Sequence, residues 1–452
     1  MKIMQRILIL LFVLILSITE SLALELVLPK EKKSIVNTNY AFFVGKTRRG
    51  ESLTIDNEMI HTASNGAFAH SVKLKEGENR VILRAGFNTV IYNFYKPPKT
   101  ENIKPKLEEF EPQLYTVLND NTPLRSTPVD YGMNRMSHLF KDTNLIIDGQ
   151  KGDFYRVILS KNKEGWIAKD AVKPSENTDI NPKFITMNSE TFKNASIHTI
   201  EFTEKLPYTI EENNSEILFK VYNPSVKDDS VYTINIKKPE KYSYKTLSSD
   251  GIYVFKVNAI PYCENKSLEG FTITIDAGHG GSELGAIGCL GDKEKDINLL
   301  IANELKDILC QMGANVIMTR ECDAFISLAD RVSTAQKNCT NIFVSIHLNS
   351  IPDIKMDIHK NRGTSVYYYN PNSKDLAKSV LNSVTSIAGT RDDGVRTASF
   401  AVIRPTDYLG ILVETAYMTN PFDSVMYKSI IFPRNAAKGI AEGILNYVTS
   451  KK

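Results

Sequence analysis

Apolar and polar positions change rhythm several times along the chain. Ile7 to Ile18 is an apolar run behind Lys2 and Arg6. From Leu24 to about Pro98, short apolar stretches alternate with turn-forming clusters. Tyr40 to Gly45 and Asn79 to Leu83 read as strands; Ser64-Asn65-Gly66 and Glu76-Gly77-Glu78-Asn79 read as turns. Lys96 to Pro112 is charged and proline-bearing without apolar periodicity, as a linker is. Leu114 to about Pro174 returns to short strands. After Pro174-Ser175-Glu176-Asn177, residues 184–262 do so again, with Ile217 to Tyr222 and an alternating Tyr232 to Ile236.

Beyond Gly270 buried strands alternate with amphipathic helices. Phe271 to Ile275, Ala314 to Met318, Ile342 to Ile346, Val366 to Tyr369 and Ile411 to Val413 are predicted strands. Ile297, Leu300, Ile301, Leu305 and Ile308 recur at helical spacing up to Met312, and Gly313 supplies the stop. Leu376 to Ile387 and Ala436 to Val448 are further predicted helices. The expected fold is therefore multidomain. N-terminal all-β modules (24–100, 112–175 and 184–262) precede a C-terminal α/β domain (270–450) with a mostly parallel sheet and helices on both faces.

A length of 452 residues agrees with several domains, since roughly 100–200 residues make one. Lys plus Arg number 55 against 52 Asp plus Glu, a balance that argues against nucleic acid as a partner. Residues 1–23 have the form of a secretory signal: positive start, apolar run, and Ser21-Leu22-Ala23 as small residues at a cleavage position. The run is too short for a span of roughly 20 apolar residues. The expectation is an extracytoplasmic protein (periplasm, cell wall or secreted) with no membrane span after cleavage. All five cysteines lie in the last 190 or so residues, and none forms Cys-x-x-Cys, so zinc fingers and thioredoxin-like sites are excluded. Cys310, inside an apolar helical pattern, reads as a buried free thiol.

Three predicted strands end in residues that a catalytic metal uses. Ile273-Thr274-Ile275-Asp276-Ala277-Gly278-His279-Gly280-Gly281 sets His279 in a glycine-flanked loop; His347 ends Ile342 to Ile346; Glu414 ends Ile411 to Val413. Open α/β sheets gather their sites at such strand ends. Glu294 opens the helix after the glycine loop. Two imidazoles and a carboxylate are a ligand set for catalytic zinc, and a second carboxylate acts as proton shuttle. Spacing leaves open which of Glu294 and Glu414 is ligand and which is base. Taken singly, His279 could be a hydrogen-bonded structural residue and Glu294 a solvated helix start. Position 283 is Glu, which removes the dinucleotide fingerprint, and neither a P-loop, His-Glu-x-x-His nor Gly-x-Ser-x-Gly occurs. His61, His70, His138, His198 and His359 receive no role.

Several segments carry resemblances. The stretch 24–100 resembles immunoglobulin-like modules of extracellular bacterial enzymes. Leu124-Arg125-Ser126-Thr127-Pro128 with Lys163-Glu164-Gly165-Trp166-Ile167 resembles the bacterial SH3-like barrel, a cell-wall peptide binder, although Trp166 serves equally as a core aromatic. From Gly270 to Tyr447 the motifs Ile275 to Gly281, Gly285-Ala286-Ile287-Gly288 with Glu294-Lys295-Asp296, Met318-Thr319-Arg320, Ser345 to Asn349, Gly363 to Tyr368 and Leu412 to Asn420 occur in order. They resemble the zinc-dependent N-acetylmuramoyl-L-alanine amidase family.

The resemblance implies one zinc ion on His279, Glu294 and His347, with Glu414 as general base. It also suggests Arg396 and Asn349 as substrate contacts, peptidoglycan as substrate, and room for an activator protein. Ala416, where the family commonly has Gly, and Tyr417-Met418-Thr419-Asn420 are mild departures. Tyr369 runs through Asn370-Pro371-Asn372-Ser373 straight into a helix, so no inserted helix over the zinc is expected. The competing readings are a non-catalytic wall-binding or activator protein on this scaffold, and a zinc hydrolase of another peptide bond.

Overall fold

The computed structural model describes residues 24–99, 105–176, 181–223, 230–263, 266–351 and 357–450. The expected signal, 1–23, lies outside the described residues. Residues 24–99 form a three-stranded sheet of Leu24–Leu28, Tyr40–Thr47 and Ala67–Lys73, together with a five-stranded one. Phe43, Leu53, Leu83 and Phe94 pack between them. Residues 105–176 make a seven-stranded sheet in which Trp166 is a buried core residue. Residues 181–263 add a four-stranded and a three-stranded sheet, and one apolar cluster runs from Tyr115 through Val257, so these last two regions share a core.

The C-terminal domain is built on six strands: β1 (Thr272–Ala277), β2 (Asn315–Met318), β3 (Ile342–Asn349), β4 (Thr364–Tyr368), β5 (Asp392–Thr397) and β6 (Leu409–Tyr417). Their order is β2-β1-β3-β6-β4-β5. β1, β2, β3 and β6 pair in parallel, whereas β4 pairs antiparallel with β6 and parallel with β5. The sheet is thus mostly parallel, as expected, and is made mixed by the one antiparallel pairing of β4 with β6. Among the described residues of the connection after β3, 350–351 and 357–363, there is no helix of the kind a parallel crossover uses.

Five α-helices among the described residues complete the domain: α1 (Glu294–Gln311), α2 (Leu328–Lys337), α3 (Lys374–Ala388), α4 (Pro421–Tyr427) and α5 (Phe432–Thr449). α1, α3 and α5 cover one face through Ile301, Leu305, Val380, Val384, Ile440 and Ile444. α3 and α5 approach closely because Gly443 faces Val380, where an added Cβ would sit 2.5 Å from Val380 Cα. α2 covers the other face, with Ala335 packed on Phe343 and Leu412. The apolar stripe of α1 is Ile297, Ile301, Leu305 and Leu309; Leu300 and Cys310 lie off it and are exposed, contrary to expectation. All five cysteines are free.

The first β region docks on the C-terminal domain: Val44, Ala67 and Ala69 pack with Cys289, Ile351 and Tyr417, and Asn65 Nδ2 donates to Ser424 Oγ at 3.0 Å. Among the described residues, no helix is long and apolar enough to cross a membrane.

Candidate metal centre

β1 delivers the chain into Gly278-His279-Gly280-Gly281, and the loop is fixed from beneath by buried charge. Asp276, 1% exposed, accepts from Arg331 Nη1 at 2.5 Å and from the hydroxyls of Thr319 and Ser345 at 2.7 Å each. Arg331 also donates to the carbonyls of Ala277 at 2.8 Å and His279 at 2.9 Å. Arg320 reaches the Ala277 and Gly278 carbonyls at 2.8 and 3.0 Å, and Lys295 Nζ reaches that of Gly281 at 3.0 Å. This clamp holds His279 at φ 59°, a left-handed conformation that a non-glycine residue keeps only when its surroundings fix it.

Glu294 is the first residue of α1 and almost fully buried. Its Oε2 accepts from Ala286 N at 2.7 Å; its Oε1 lies 2.9 Å from His347 Nδ1 and 3.3 Å from His279 Nε2. One turn further along α1, Asn298 Nδ2 donates to the Gly278 carbonyl at 3.1 Å and touches Glu294 Oε1 at 3.4 Å. Gly285 leaves room for the cluster: a Cβ there would stand 2.5 Å from Glu294 Oε2 and 2.7 Å from the His279 ring. Gly278 does the same for His347, whose ring would meet its Cβ at 2.3 Å.

Among the described residues, His279, Glu294 and His347 offer ligand atoms that all lie within 4.8 Å of one another. Atoms bound to one zinc at about 2.0–2.2 Å stand at such separations, so the donor set fits that ion. Burial alone would raise the Glu294 carboxyl; hydrogen bonds and charge from the two histidines outweigh it and hold it well below the usual carboxylate range. His347, which burial would lower, is instead raised to about 9 by its bond to Glu294 and by the Glu294, Glu414 and Asp276 charges. A crowded acid–imidazole set of this kind is the arrangement a cation resolves.

Glu414 on β6 pairs in register with His347 on β3 and with Ser365 on β4. Its Oε2 is sealed from solvent without a hydrogen-bond partner, as is Ser365 Oγ. Burial, and next the Glu294 charge against the pull of His347, push its carboxyl up to about 8. A carboxyl poised near neutrality takes and returns a proton readily.

The structure brings His279, Glu294, His347 and Glu414 together. Asn349, two residues beyond His347, and Arg396 on β5 stand outside the cluster. Arg396 is ion-paired to Asp393 at 2.7 Å. The α3 helix lies on the sheet face away from the cluster, packed on α5. Sequence reasoning missed Asp276, Asn298, Arg320 and Arg331 as supports. Asn298 was findable as the residue one turn after Glu294. The helix bearing Arg331 has a capping signature in Ser327-Leu328-Ala329-Asp330, with Ser327 Oγ accepting from Asp330 N at 3.1 Å.

Comparison with known proteins covers this domain. Residues 273–446 match the sequence profile of N-acetylmuramoyl-L-alanine amidases. The chain is 38% identical over 184 residues to the uncharacterized protein YqiI of Bacillus subtilis, covering 40% of this chain and 86% of that protein. It is 38% identical over 182 residues to the N-acetylmuramoyl-L-alanine amidase LytC of the same organism, covering 39% of this chain but 36% of LytC. The solved catalytic domain of CwlV, an N-acetylmuramoyl-L-alanine amidase from Bacillus (Paenibacillus) polymyxa var. colistinus, is 34% identical. That match covers 40% of this chain and 99% of the other, with a TM-score of 0.37.

Proposed function

The chain belongs to the N-acetylmuramoyl-L-alanine amidase family, and on that premise we propose that it is a zinc enzyme which cleaves peptidoglycan between the lactyl carbonyl of N-acetylmuramic acid and the first alanine of the stem peptide. His279, Glu294 and His347 would hold the ion. Zinc bound there supplies a Lewis acid that makes water acidic near neutral pH and draws charge from a carbonyl oxygen.

The chain's own residues do the rest. Glu414 takes a proton from the attacking water as its oxygen bonds to the lactyl carbon. The same carboxyl returns the proton to the alanine nitrogen as the C–N bond breaks, leaving a lactyl carboxylate and a free amino terminus. The Asp276–Arg331 pair and Arg320 keep the His279 loop in place, and Asn298 orients Glu294.

The observation that carries this reading is the partnerless Glu414 Oε2 in register with His347, beside three ligand atoms within 4.8 Å. Glu414→Gln keeps the shape and removes the base, so turnover should fall by about 10²–10⁴-fold while zinc stays bound. Full activity in that variant, measured by release of soluble peptide from peptidoglycan, overturns the assignment. We further place the enzyme outside the cytoplasm, with residues 1–23 as a cleaved signal. The immunoglobulin-like and SH3-like regions would hold it on the wall.

A further inference from the structure

We propose that Asp423, a buried carboxylate outside the metal cluster, is a positioning residue for Glu414: together with Thr364 it pins the β-bulge that follows the base, and so fixes where the base points. The inference rests on the reading of Glu414 as general base and adds to it the groups that aim it.

Glu414 has little of its own to hold it. Its Oε2 and the Oγ of Ser365 opposite are both buried without a hydrogen-bond partner, so the backbone sets the direction of the side chain. That backbone is irregular at this point. His347 on β3 pairs with Glu414, but Asn349 pairs with Tyr417, so two steps along β3 match three along β6. The extra residue lies in Thr415-Ala416, directly after the base. A bulge of this kind leaves ladder groups unpaired and bends the strand, which re-aims the side chains beside it. The pairing of β6 with β4 stops at the same place, with Glu414 and Ser365.

Buried backbone groups need partners, and here side chains supply them. The Thr364 hydroxyl donates to the Thr415 carbonyl at 2.9 Å, and Thr415 Oγ1 donates to the His347 carbonyl at 3.2 Å. Asp423 Oδ2 accepts from Tyr417 N at 3.0 Å and from Gly363 N at 2.7 Å. One oxygen thereby ties the strand just past the bulge to the residue just before β4. The aim of Asp423 is fixed in turn at the start of α4. Asn420 Oδ1 accepts from Phe422 N at 2.9 Å and from Asp423 N at 3.2 Å, while its Nδ2 donates to the carbonyls of Ile358 and Asn361 at 2.8 Å each. Asp423 Oδ1 is sealed off without a hydrogen-bond partner, and Arg362 Nε stands 3.5 Å from it. Burial raises the carboxyl above its ordinary value, and the two N–H groups oppose this. The bulge needs an acceptor oxygen at that point rather than a charge.

The test uses the full chain, read by hydrolysis of a soluble N-acetylmuramoyl peptide, by competitive zinc titration, and by residue-resolved hydrogen exchange at the Gly363 and Tyr417 amides. Asp423→Ala should lower kcat about 10–100-fold, the scale of a misplaced catalytic group, with KM and zinc affinity within about twofold of the parent. Asp423→Asn keeps an oxygen for both N–H groups and should hold kcat within about threefold. Both amides should exchange about tenfold faster or more in Asp423→Ala, and at the parental rate in Asp423→Asn. In Glu414→Gln protein, adding Asp423→Ala should cost less than about threefold more, because no base is left to aim. Equal losses in the two backgrounds, an equal loss in the Asn variant, or zinc affinity falling with kcat overturns the positioning role. If Asp423→Ala fails to fold, Thr364→Val, which keeps its volume, takes its place. A kcat lowered about tenfold with zinc binding intact then supports the pin, and a parental kcat overturns it. The base reading fails separately: full turnover in Glu414→Gln removes the base, while the exchange rates, read without substrate, still decide whether Asp423 pins the bulge.

Discussion

Replacing Arg331 by Met removes the cation from a carboxylate that has no access to water. Arg331 is 2% exposed and Asp276 is 1% exposed, and their contact is 2.5 Å. Two hydroxyls still reach Asp276, but neither carries charge. Leaving a buried charge uncompensated costs about 3–5 kcal/mol. For a domain of this size that lowers the melting temperature by roughly 10 °C. The loss is directional as well, because Arg331 donates to the carbonyl of His279 at 2.9 Å and to that of Ile326 at 3.0 Å. Without them the His279 loop relaxes from its left-handed conformation, and zinc affinity should drop about 10–100-fold, as when a group that orients a ligand is lost.

Denaturant unfolding of zinc-free protein, paired with competitive zinc titration, reads the two effects separately. Asp276→Asn combined with Arg331→Met removes both charges and should recover a part of the stability, of order 2 kcal/mol relative to Arg331→Met alone. If Arg331→Met is within 1 kcal/mol of the parent by this rough scale and binds zinc equally well, the buried pair does not hold the loop.

Two other perturbations test the same construction. Gly285→Ala sets a Cβ against Glu294 Oε2 and the His279 ring at a backbone φ of 68°, so zinc affinity should fall by about tenfold or more; unchanged affinity by competitive titration would show that the glycine is not needed for the cluster. His138, held neutral down to about pH 4 against an ordinary 6.5, gives a pH-dependent stability. Its unfolded form binds a proton first, so its contribution is complete above pH 6.5 and is lost as pH falls through about 4, by up to about 3 kcal/mol. Between pH 7 and pH 4 the melting temperature of the parent should fall relative to that of His138→Gln, and a constant difference would sink this.

The grouping of His279, Glu294, His347 and Glu414 was legible because these residues sit where chain geometry is forced. His279, His347 and Glu414 stand at or near strand ends, and Glu294 at a helix start, each beside an apolar run. The supports were not legible, because their partners are backbone carbonyls far away in sequence. Arg331 bonds to residues 54 and 52 positions back, and no local pattern announces that. The helix carrying it buries only Arg331 and Ala335 fully, so it has almost no apolar stripe. The direction of β4 was equally hidden: Val366 to Tyr369 is apolar enough for a strand, but nothing in that pattern says that it runs antiparallel to β6. Leu300 shows the opposite error, an apolar residue at nearly the right spacing that faces solvent.

The most direct measurement incubates protein comprising residues 24–452 with purified peptidoglycan, before and after zinc chelation, and identifies the products by mass spectrometry. Stem peptides with a free amino-terminal alanine, absent after chelation and restored by added zinc, are the predicted result. Release of such peptides undiminished in fully chelated protein, or no release at all from zinc-loaded protein that binds the wall, would contradict the account.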